Sequence, residues 1–412
     1  MTAQLSHFPG VGAPPGAHRL LRAETPGLPT HSAVYGPLPR VGREFIDVVG
    51  AAGLTGRGGA GFPVARKLAA VATGRAPIVV GNGAEGEPLS RKDAVLLTRA
   101  PHLVLDGLAV AAAAVGADRC HLYAPPAVLE PVRRALAERG AAGLGPRVEL
   151  TAAPDHFLAG EKTAVVNRLA GRAALPRDQR ISTSERGARG RPTLVQNVET
   201  LAHLALIARF GPHWFRSVGT PDEPGTMLVT LSGSPVGGVF EVPRGTNLLE
   251  IITRLGRTDP ARVRAVLVGG YHGSWVPAAR LGATPLSRTG LRDLRADPGA
   301  GVLRILTRDE CGLRATADIT AYLAAQSAGQ CGPCRNGLPP IAGALTHLAH
   351  GGPGDPREIE YLTGLVDGRG TCHHPDGTAR LVRSALTAFA DDVTLHRKGL
   401  CHSTFDTERT TA

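Results

Sequence analysis

The sequence predicts an α/β protein in three successive parts: an N-terminal α/β domain, a central β-grasp module and a C-terminal helical bundle. Three observations lead there. Between about residues 41 and 215, short apolar runs of strand length alternate with helical stretches, the pattern of an α/β sandwich. A Gly- and Pro-containing break at 219–225 then opens a segment ordered strand, strand, helix, strand. From about residue 310 the pattern is mostly helical, and this part holds Cys331, Cys334, Cys372 and Cys401.

Residues 1–40 carry Pro14-Pro15 and Pro37-Leu38-Pro39 and read as an extended arm rather than a core element. The α/β domain is assigned to 41–218. Its buried strand is 76–80 (Ala-Pro-Ile-Val-Val), its apolar-faced helix 101–115, and its short strands 121–123 and 148–150. The β-grasp module takes 219–305, with strands at 226–233, 239–243 and 266–270 and a helix near 248–255. The helical part takes 306–402, with helices at 315–328, 338–350, 357–366 and 378–395, and 403–412 is a tail. No internal repeat is evident.

A chain of 412 residues suggests two to four domains, and 42% hydrophobic with 20% charged residues is a globular composition. The 53 glycines and 33 prolines imply many loops. The net charge of +11 does not point to nucleic acid. Only four of the 46 basic residues are Lys (67, 92, 162 and 398), an Arg excess of the kind produced by composition bias. No long basic run interleaves with aromatics. Residues 1–17 lack the apolar centre of a signal peptide. The longest apolar stretch, 103–117, is interrupted by Asp106 and too short to span a bilayer, so no transmembrane segment is expected. A cytoplasmic location follows, where clustered cysteines favour metal or redox work over disulfides.

Four polar clusters could carry chemistry. Gly56-Arg57-Gly58-Gly59-Ala60-Gly61-Phe62-Pro63 precedes a helix carrying Lys67. Such glycines permit positive φ and close approach of backbone to a ligand, and successive N–H groups with a helix N-terminus attract anions. Lys67 is placed to meet a phosphate or a flavin oxygen. The same residues also suit an ordinary Gly-rich loop. The loop Asn82-Gly83-Ala84-Glu85-Gly86-Glu87-Pro88 leaves a strand at its carboxyl end, where open α/β sheets bind ligands, though a surface turn has this composition too. Gly160-Glu161-Lys162-Thr163 is either a third site or a helix cap. Gln196-Asn197-Val198-Glu199-Thr200 enters a helix. Lys67, Lys92 and Lys162 fall inside or just after these clusters, which hints that a compact ammonium matters there.

Cys331-Gly332-Pro333-Cys334 places two thiols about one helical turn apart, with Cys372 and Cys401 further on. Two close thiols and two distant ones suit tetrahedral iron or zinc. A thioredoxin-type dithiol and a non-functional group of thiols also have this spacing.

In this order the clusters resemble the flavoprotein subunit of respiratory NADH dehydrogenase (complex I) and its relatives in NAD-reducing hydrogenases and formate dehydrogenases. The resemblance runs from about residue 45 to 390. It implies an FMN cradle of Gly56, Arg57, Gly58, Gly59, Lys67, Asn82, Glu85, Gly160, Glu161, Gln196, Asn197 and Thr200. On the donor side it implies Phe62, Glu87 and Lys162. Hydride would pass from NADH to FMN and single electrons to a [4Fe-4S] cluster. The partner would be a thioredoxin-like [2Fe-2S] subunit or ferredoxin, within reach of a membrane-bound reductase complex. No side chain is nominated as catalytic acid or base, and Glu85 and Glu161 are expected to contact donor or flavin.

Several positions depart from the family. Its Cys-x-x-Cys-x-x-Cys run has Ala328 in first place here, leaving Cys331, Cys334 and Cys372. Cys401 is assigned as the fourth ligand, and Cys311, His373 and His374 are further candidates; with none of them, a [3Fe-4S] or labile cluster results. The usual Asn-Ala-Asp-Glu-Ser-Glu-Pro loop has lost an Asp and a Ser and resembles that of Rnf-type reductases. The usual Gly-Glu-Glu-Thr has Lys162 in place of an acid, and Ala69 and Ala70 stand where an aromatic follows Lys67. These changes admit a donor other than NADH. A non-redox binding protein with a zinc site is the third reading the residues allow.

Overall fold

The computed structural model describes residues 18–178, 181–352 and 354–403. They form two compact units. The first holds residues up to Gly86, Ser90–Thr230 and Gly238–Thr246; the second holds Glu87–Leu89, Leu231–Gly237 and the chain from Asn247.

The first unit opens with helices α1 (Leu28–Tyr35), α2 (Phe45–Ala52) and α3 (Val64–Ala72). Then follow β1 (Ile78–Asn82), α4 (Lys92–Arg99), α5 (Pro101–Val115), β2 (Arg119–Ala124), α6 (Pro126–Ala141) and β3 (Val148–Ala152). The unit continues through α7 (Lys162–Leu169), β4 (Thr193–Asn197), α8 (Val198–Arg216), β5 (Thr226–Ser232) and β6 (Gly238–Pro243). Strands β1 to β4 form a parallel sheet in the order β3-β2-β1-β4. Helices α5 and α8 pack together so closely that a Cβ on Gly107 would lie 1.8 Å from the Leu201 carbonyl oxygen, so only Gly fits there. Among the described helices none is long and apolar enough to cross a membrane alone; α4 and α5 pass that test only together, bent by 96°.

Two expectations are corrected here. The first 40 residues are not simply an arm: among those described, Leu20, Ala23, His31 and Tyr35 are buried. The Arg19 and Leu20 N–H groups both donate to Glu241 Oε2 at 2.9 Å, and the Arg19 guanidinium stacks 4.0 Å from the Trp214 ring. The stretch 1–17 lies outside the described residues. The domain cut also falls inside the 219–305 segment, because β6 is tied to the first unit by Glu241 and by the Arg244–Glu223 ion pair.

In the second unit α9 (Leu248–Glu250) runs on through a π-helical turn, Ile251–Leu255, into β7 (Val263–Val268) and β8 (Ser274–Pro277). Short helices α10 (Ala278–Leu281) and α11 (Arg288–Leu291) lead to β9 (Val302–Thr307). β7 pairs antiparallel with both β8 and β9. The rest is helical: α12 (Gly312–Ala325), α13 (Leu338–Ala349), α14 (Pro356–Val366), α15 (His374–Ala388) and α16 (Ala390–His396). The predicted helix at 378–395 is thus two, breaking at Phe389, whose ring packs on Trp275.

Candidate functional site: a sheet-edge cradle and a cysteine turn

β1 and β4 run side by side to their carboxyl ends, Gly81 opposite Gln196 and Asn82 opposite Asn197. β2 and β3 extend from the other side of β1, so the strand order reverses here. Such a switch point leaves a crevice beyond the strand ends, the usual ligand site of an open α/β sheet.

The Gly-rich loop closes over this edge. Gly56 N–H donates to the Phe62 carbonyl at 3.0 Å, and Gly59 and Gly61 take φ of 100° and 59°, which favours glycine. A Cβ on Gly58 would come within 3.3 Å of Asn197 Cβ, so the loop lies directly against β4. Lys67, in α3, donates through Nζ to the Val195 carbonyl and lies 3.4 Å from Gln196 Oε1. Burial, with Lys162 as a second cation, lowers its pKa to about 8. Gln196 Nε2 is buried and donates to nothing among the described residues. An orphan donor beside a desolvated ammonium is what an oxygen-rich anionic ligand would satisfy.

Behind the edge sits a buried charge network. Lys92 Nζ is 2.7 Å from Asp93 Oδ1 and 3.0 Å from Glu199 Oε2. Burial alone would lower the Lys92 pKa; Asp93 and Glu199 overcome it and raise it. Asn197 joins in, donating to Asp93 Oδ2 at 2.6 Å and accepting from Lys92 at 3.3 Å. Asn82 spans to the next cluster, its Nδ2 donating to the Gly160 carbonyl at 3.0 Å. Sequence reasoning marks Lys92 as a rare lysine near the clusters and Glu199 as part of the fourth cluster but assigns neither a role, and it does not single out Asp93. Their signal lies in a rare Lys and in the Asn-Val-Glu-Thr run, but Asp93 looks like any helix-start acid.

Several expected ligand residues turn out to hold structure. Arg57 is buried, with its N–H on Thr200 Oγ1 at 2.9 Å and its guanidinium on Thr55 and the Pro224 carbonyl. Burial, opposed by Glu199, lowers its pKa to about 10. Glu85 caps α4, accepting from Asp93 N–H at 3.0 Å and Ala94 N–H at 2.9 Å. Burial and then Asp93 raise its pKa. Glu161 caps α7, accepting from Thr163 and Ala164 N–H. Both glutamates therefore meet backbone, Glu85 through both oxygens and Glu161 through Oε2. Glu87 belongs to the second unit and accepts from Tyr271 N–H at 2.8 Å. Lys162 opens α7 and is partly exposed, while Phe62 is 50% exposed.

In the second unit Cys331 precedes, and Cys334 lies on, a π-helical turn (Pro333–Gly337) leading into α13. A Cβ on Gly337 would strike Val366 Cγ1 at 2.2 Å, so glycine lets α14 approach. Burial would raise the Cys331 pKa, but hydrogen bonds from Thr371 and Cys334 outweigh it and lower it. Burial, then Cys331 and Cys372, pushes Cys334 up to about 12. Cys334 thus lies near enough to Cys331 and to Cys372, on the segment between α14 and α15, for both thiols to act on it. The turn sits among helices, not after a strand, which excludes a thioredoxin-type dithiol.

Cys401 is not with them, and its assignment as fourth ligand is corrected. Arg314 in the first turn of α12 donates to the Ala349 carbonyl at the end of α13, so the two helices are antiparallel. The cysteine turn joins their opposite ends. Cys401 lies at the start of α12, grouped with Cys311 and His396. A 14-residue helix is roughly 20 Å long, too far for a shared cluster. The two candidate imidazoles are engaged as well: His374 bonds the Leu323 carbonyl at 2.8 Å and His272 at 3.1 Å, and His373 faces Asp376.

Comparison with known proteins identifies both regions. Residues 49–206 match the Nuo51 FMN-binding domain, and 314–396 match the NADH-ubiquinone oxidoreductase-F iron–sulfur binding region. The second F-type subunit of the NADH-quinone oxidoreductase of Rhizobium meliloti (strain 1021) is 32% identical over 373 residues, covering 86% of this chain and 88% of the relative. The chain belongs to the family of F-type subunits of NADH-quinone oxidoreductases. The Escherichia coli (strain K12) member is 30% identical, over 85% of this chain and 83% of the relative. Among solved structures, an NAD+-reducing [NiFe]-hydrogenase in the H2-reduced state superposes with a TM-score of 0.78 at 29% identity. That match covers 86% of this chain, which spans 62% of the hydrogenase chain. Membership makes the chain an NADH dehydrogenase-type oxidoreductase that uses FMN and a [4Fe-4S] cluster and works beside partner subunits. The reading as a non-redox zinc protein falls with it.

Proposed function

We propose that the first unit holds FMN at the carboxyl ends of β1 and β4 and takes hydride there from NADH, and that the cysteine turn of the second unit passes the electrons on. The observation that carries this is the Gln196 Nε2 donor, buried without a partner among the described residues, beside the Lys67 ammonium at the sheet's switch point. Bound FMN and the cluster supply the redox chemistry, the splitting of a two-electron donor into single electrons.

The chain's own residues supply position and charge. The glycines at 58, 59 and 61 let a ligand come close to the backbone. Lys67 supplies a cation to a phosphate or ring oxygen. Lys92, Asp93, Glu199 and Asn197 lock β1, β4 and α4 in place, so the cradle is preorganised. Glu85 and Glu161 serve as caps that fix α4 and α7. Phe62 offers a face for the donor's rings. Cys331, Cys334 and Cys372 would hold the cluster, while Cys311 and Cys401 lie at the far end of α12. The partner is a thioredoxin-like [2Fe-2S] subunit or ferredoxin, in the cytoplasm.

The test is an anaerobic absorption and EPR titration of the purified protein with NADH. Bleaching of the flavin bands followed by a reduced-cluster signal is expected. Flavin that bleaches with dithionite but not with NADH would move the donor to another flavoprotein or a ferredoxin.

A further inference from the structure

Outside the cysteine turn, the described residues hold one group of soft metal donors: Cys311, His396 and Cys401. They come from three places in the second unit. Cys311 is the N-cap of α12, His396 ends α16, and Cys401 follows the last helix. All three are buried. Cys311 Sγ lies 3.4 Å from His396 Nε2, and the three donor atoms lie within 4.8 Å of one another.

That spacing fits a metal. With zinc–sulfur bonds of about 2.3 Å and zinc–nitrogen bonds of about 2.0–2.1 Å, tetrahedral donors sit roughly 3.5–3.8 Å apart. The three atoms need to move by no more than about 1 Å to reach it. The surroundings add a buried ion pair and no net charge. Asp392, one turn before His396 on α16, is fully buried and ion-paired with Arg264. Two thiolates neutralise a divalent ion, and the Asp392–Arg264 pair is neutral by itself. Ser403 Oγ, 3.1 Å from Cys401 Sγ, is at hand for a hydrogen bond to the ligating sulfur. Two thiols with one imidazole favour zinc over harder ions. Cys311 and Cys401 both lie outside the segment 314–396 matched by the iron–sulfur region.

We propose that Cys311, His396 and Cys401 bind one zinc ion, which pins the chain after α16 to the start of α12. Binding displaces two thiol protons to solvent, and a water takes the fourth position. The assignment stands independently of the flavin and cluster reading.

The experiment measures zinc, iron and labile sulfide together in the full-length protein isolated anaerobically and incubated with zinc chloride, and records the zinc K-edge absorption. About one zinc per chain is expected, with two sulfur neighbours at about 2.3 Å and nitrogen or oxygen at about 2.0 Å. Zinc is lost in Cys311→Ser and in Cys401→Ser while iron is unchanged, and it persists in Cys331→Ser. Cys401→Ser lies beyond the last helix and guards against misfolding at the α12 cap; the wild-type absorption spectrum needs no variant. Wild-type protein without zinc, zinc that leaves with Cys331 instead of Cys311, or an intact Cys311–Cys401 disulfide in the anaerobic preparation overturns the proposal.

Discussion

The sheet edge and the cysteine turn solve the problem of holding a cofactor in different ways. At the edge, charge is buried and the charged groups are tied to one another, as with Lys92, Asp93, Asn197 and Glu199. At the turn, three thiols ride on short irregular backbone between helices, and Cys331 and Cys372 are partly exposed. The first is a network whose members fail together. The second is a set of donors, each of which acts directly on the metal.

The largest effect follows from that difference. Cys334→Ser should bring iron and sulfide to background and abolish NADH-driven output to a one-electron acceptor, while flavin content stays at the wild-type level. Cys401→Ser should leave cluster iron unchanged. Equal iron loss in both would return Cys401 to the cluster and undo the separation of the two helix ends.

Next comes Lys92→Met, which removes the cation that Glu199 and Asp93 share and leaves Glu199 with the Arg57 cation, Nε at 4.0 Å. Breaking a buried pair in this way costs about 3–5 kcal/mol. Urea unfolding should record it, together with loss of bound FMN. The double variant Lys92→Met/Glu199→Gln should recover part of the loss. Additive losses would mean the two residues do not form one network.

These cases mark what the sequence could reveal. Strand and helix order was legible because apolar periodicity is local: the helix 101–115 is α5 residue for residue. The polar clusters were legible as places, since a Gly- and Asn-rich turn at a strand's carboxyl end sits where an open α/β sheet binds ligands. Their roles were less so. Glu85 and Glu161 look like ligands in a motif, yet each caps a helix, a use set by which N–H groups the fold brings within reach. The Arg19–Glu241 contact joins residues more than two hundred apart, and no local pattern encodes it. Cys401 was misplaced for the same reason: sequence distance does not say which end of a helical hairpin a tail returns to.

A smaller effect tests the charge at the edge. Lys67 is lowered from 10.5 to about 8 by burial and Lys162. Its folded pKa is depressed, so between about 8 and 10.5 the unfolded chain binds more protons, and the flavin-free protein gains stability as pH rises through that window. An anionic ligand favours the protonated form, so FMN affinity should fall as pH rises through about 8, by up to roughly tenfold per unit. Flavin fluorescence titrations from neutral to alkaline pH would show the slope. Lys67→Met should bind FMN more weakly with no slope in that window. A slope that survives in the variant would assign the titration elsewhere.

The smallest effect concerns the exposed aromatic of the Gly-rich loop. Phe62 is half exposed, so its loss removes little buried area, and Phe62→Ala should change stability by less than about 0.5 kcal/mol. A ring stacked on the donor is worth about 0.5–1.5 kcal/mol, which is about two- to tenfold in the KM for NADH. FMN content and the rate at saturating NADH should stay unchanged, because the ring touches the donor and not the flavin's anchors. Steady-state kinetics at fixed acceptor would separate the terms. A fall in saturated rate with KM unchanged would place Phe62 against the flavin instead, and the exposed side of the cradle would then belong to the partner subunit rather than to the donor.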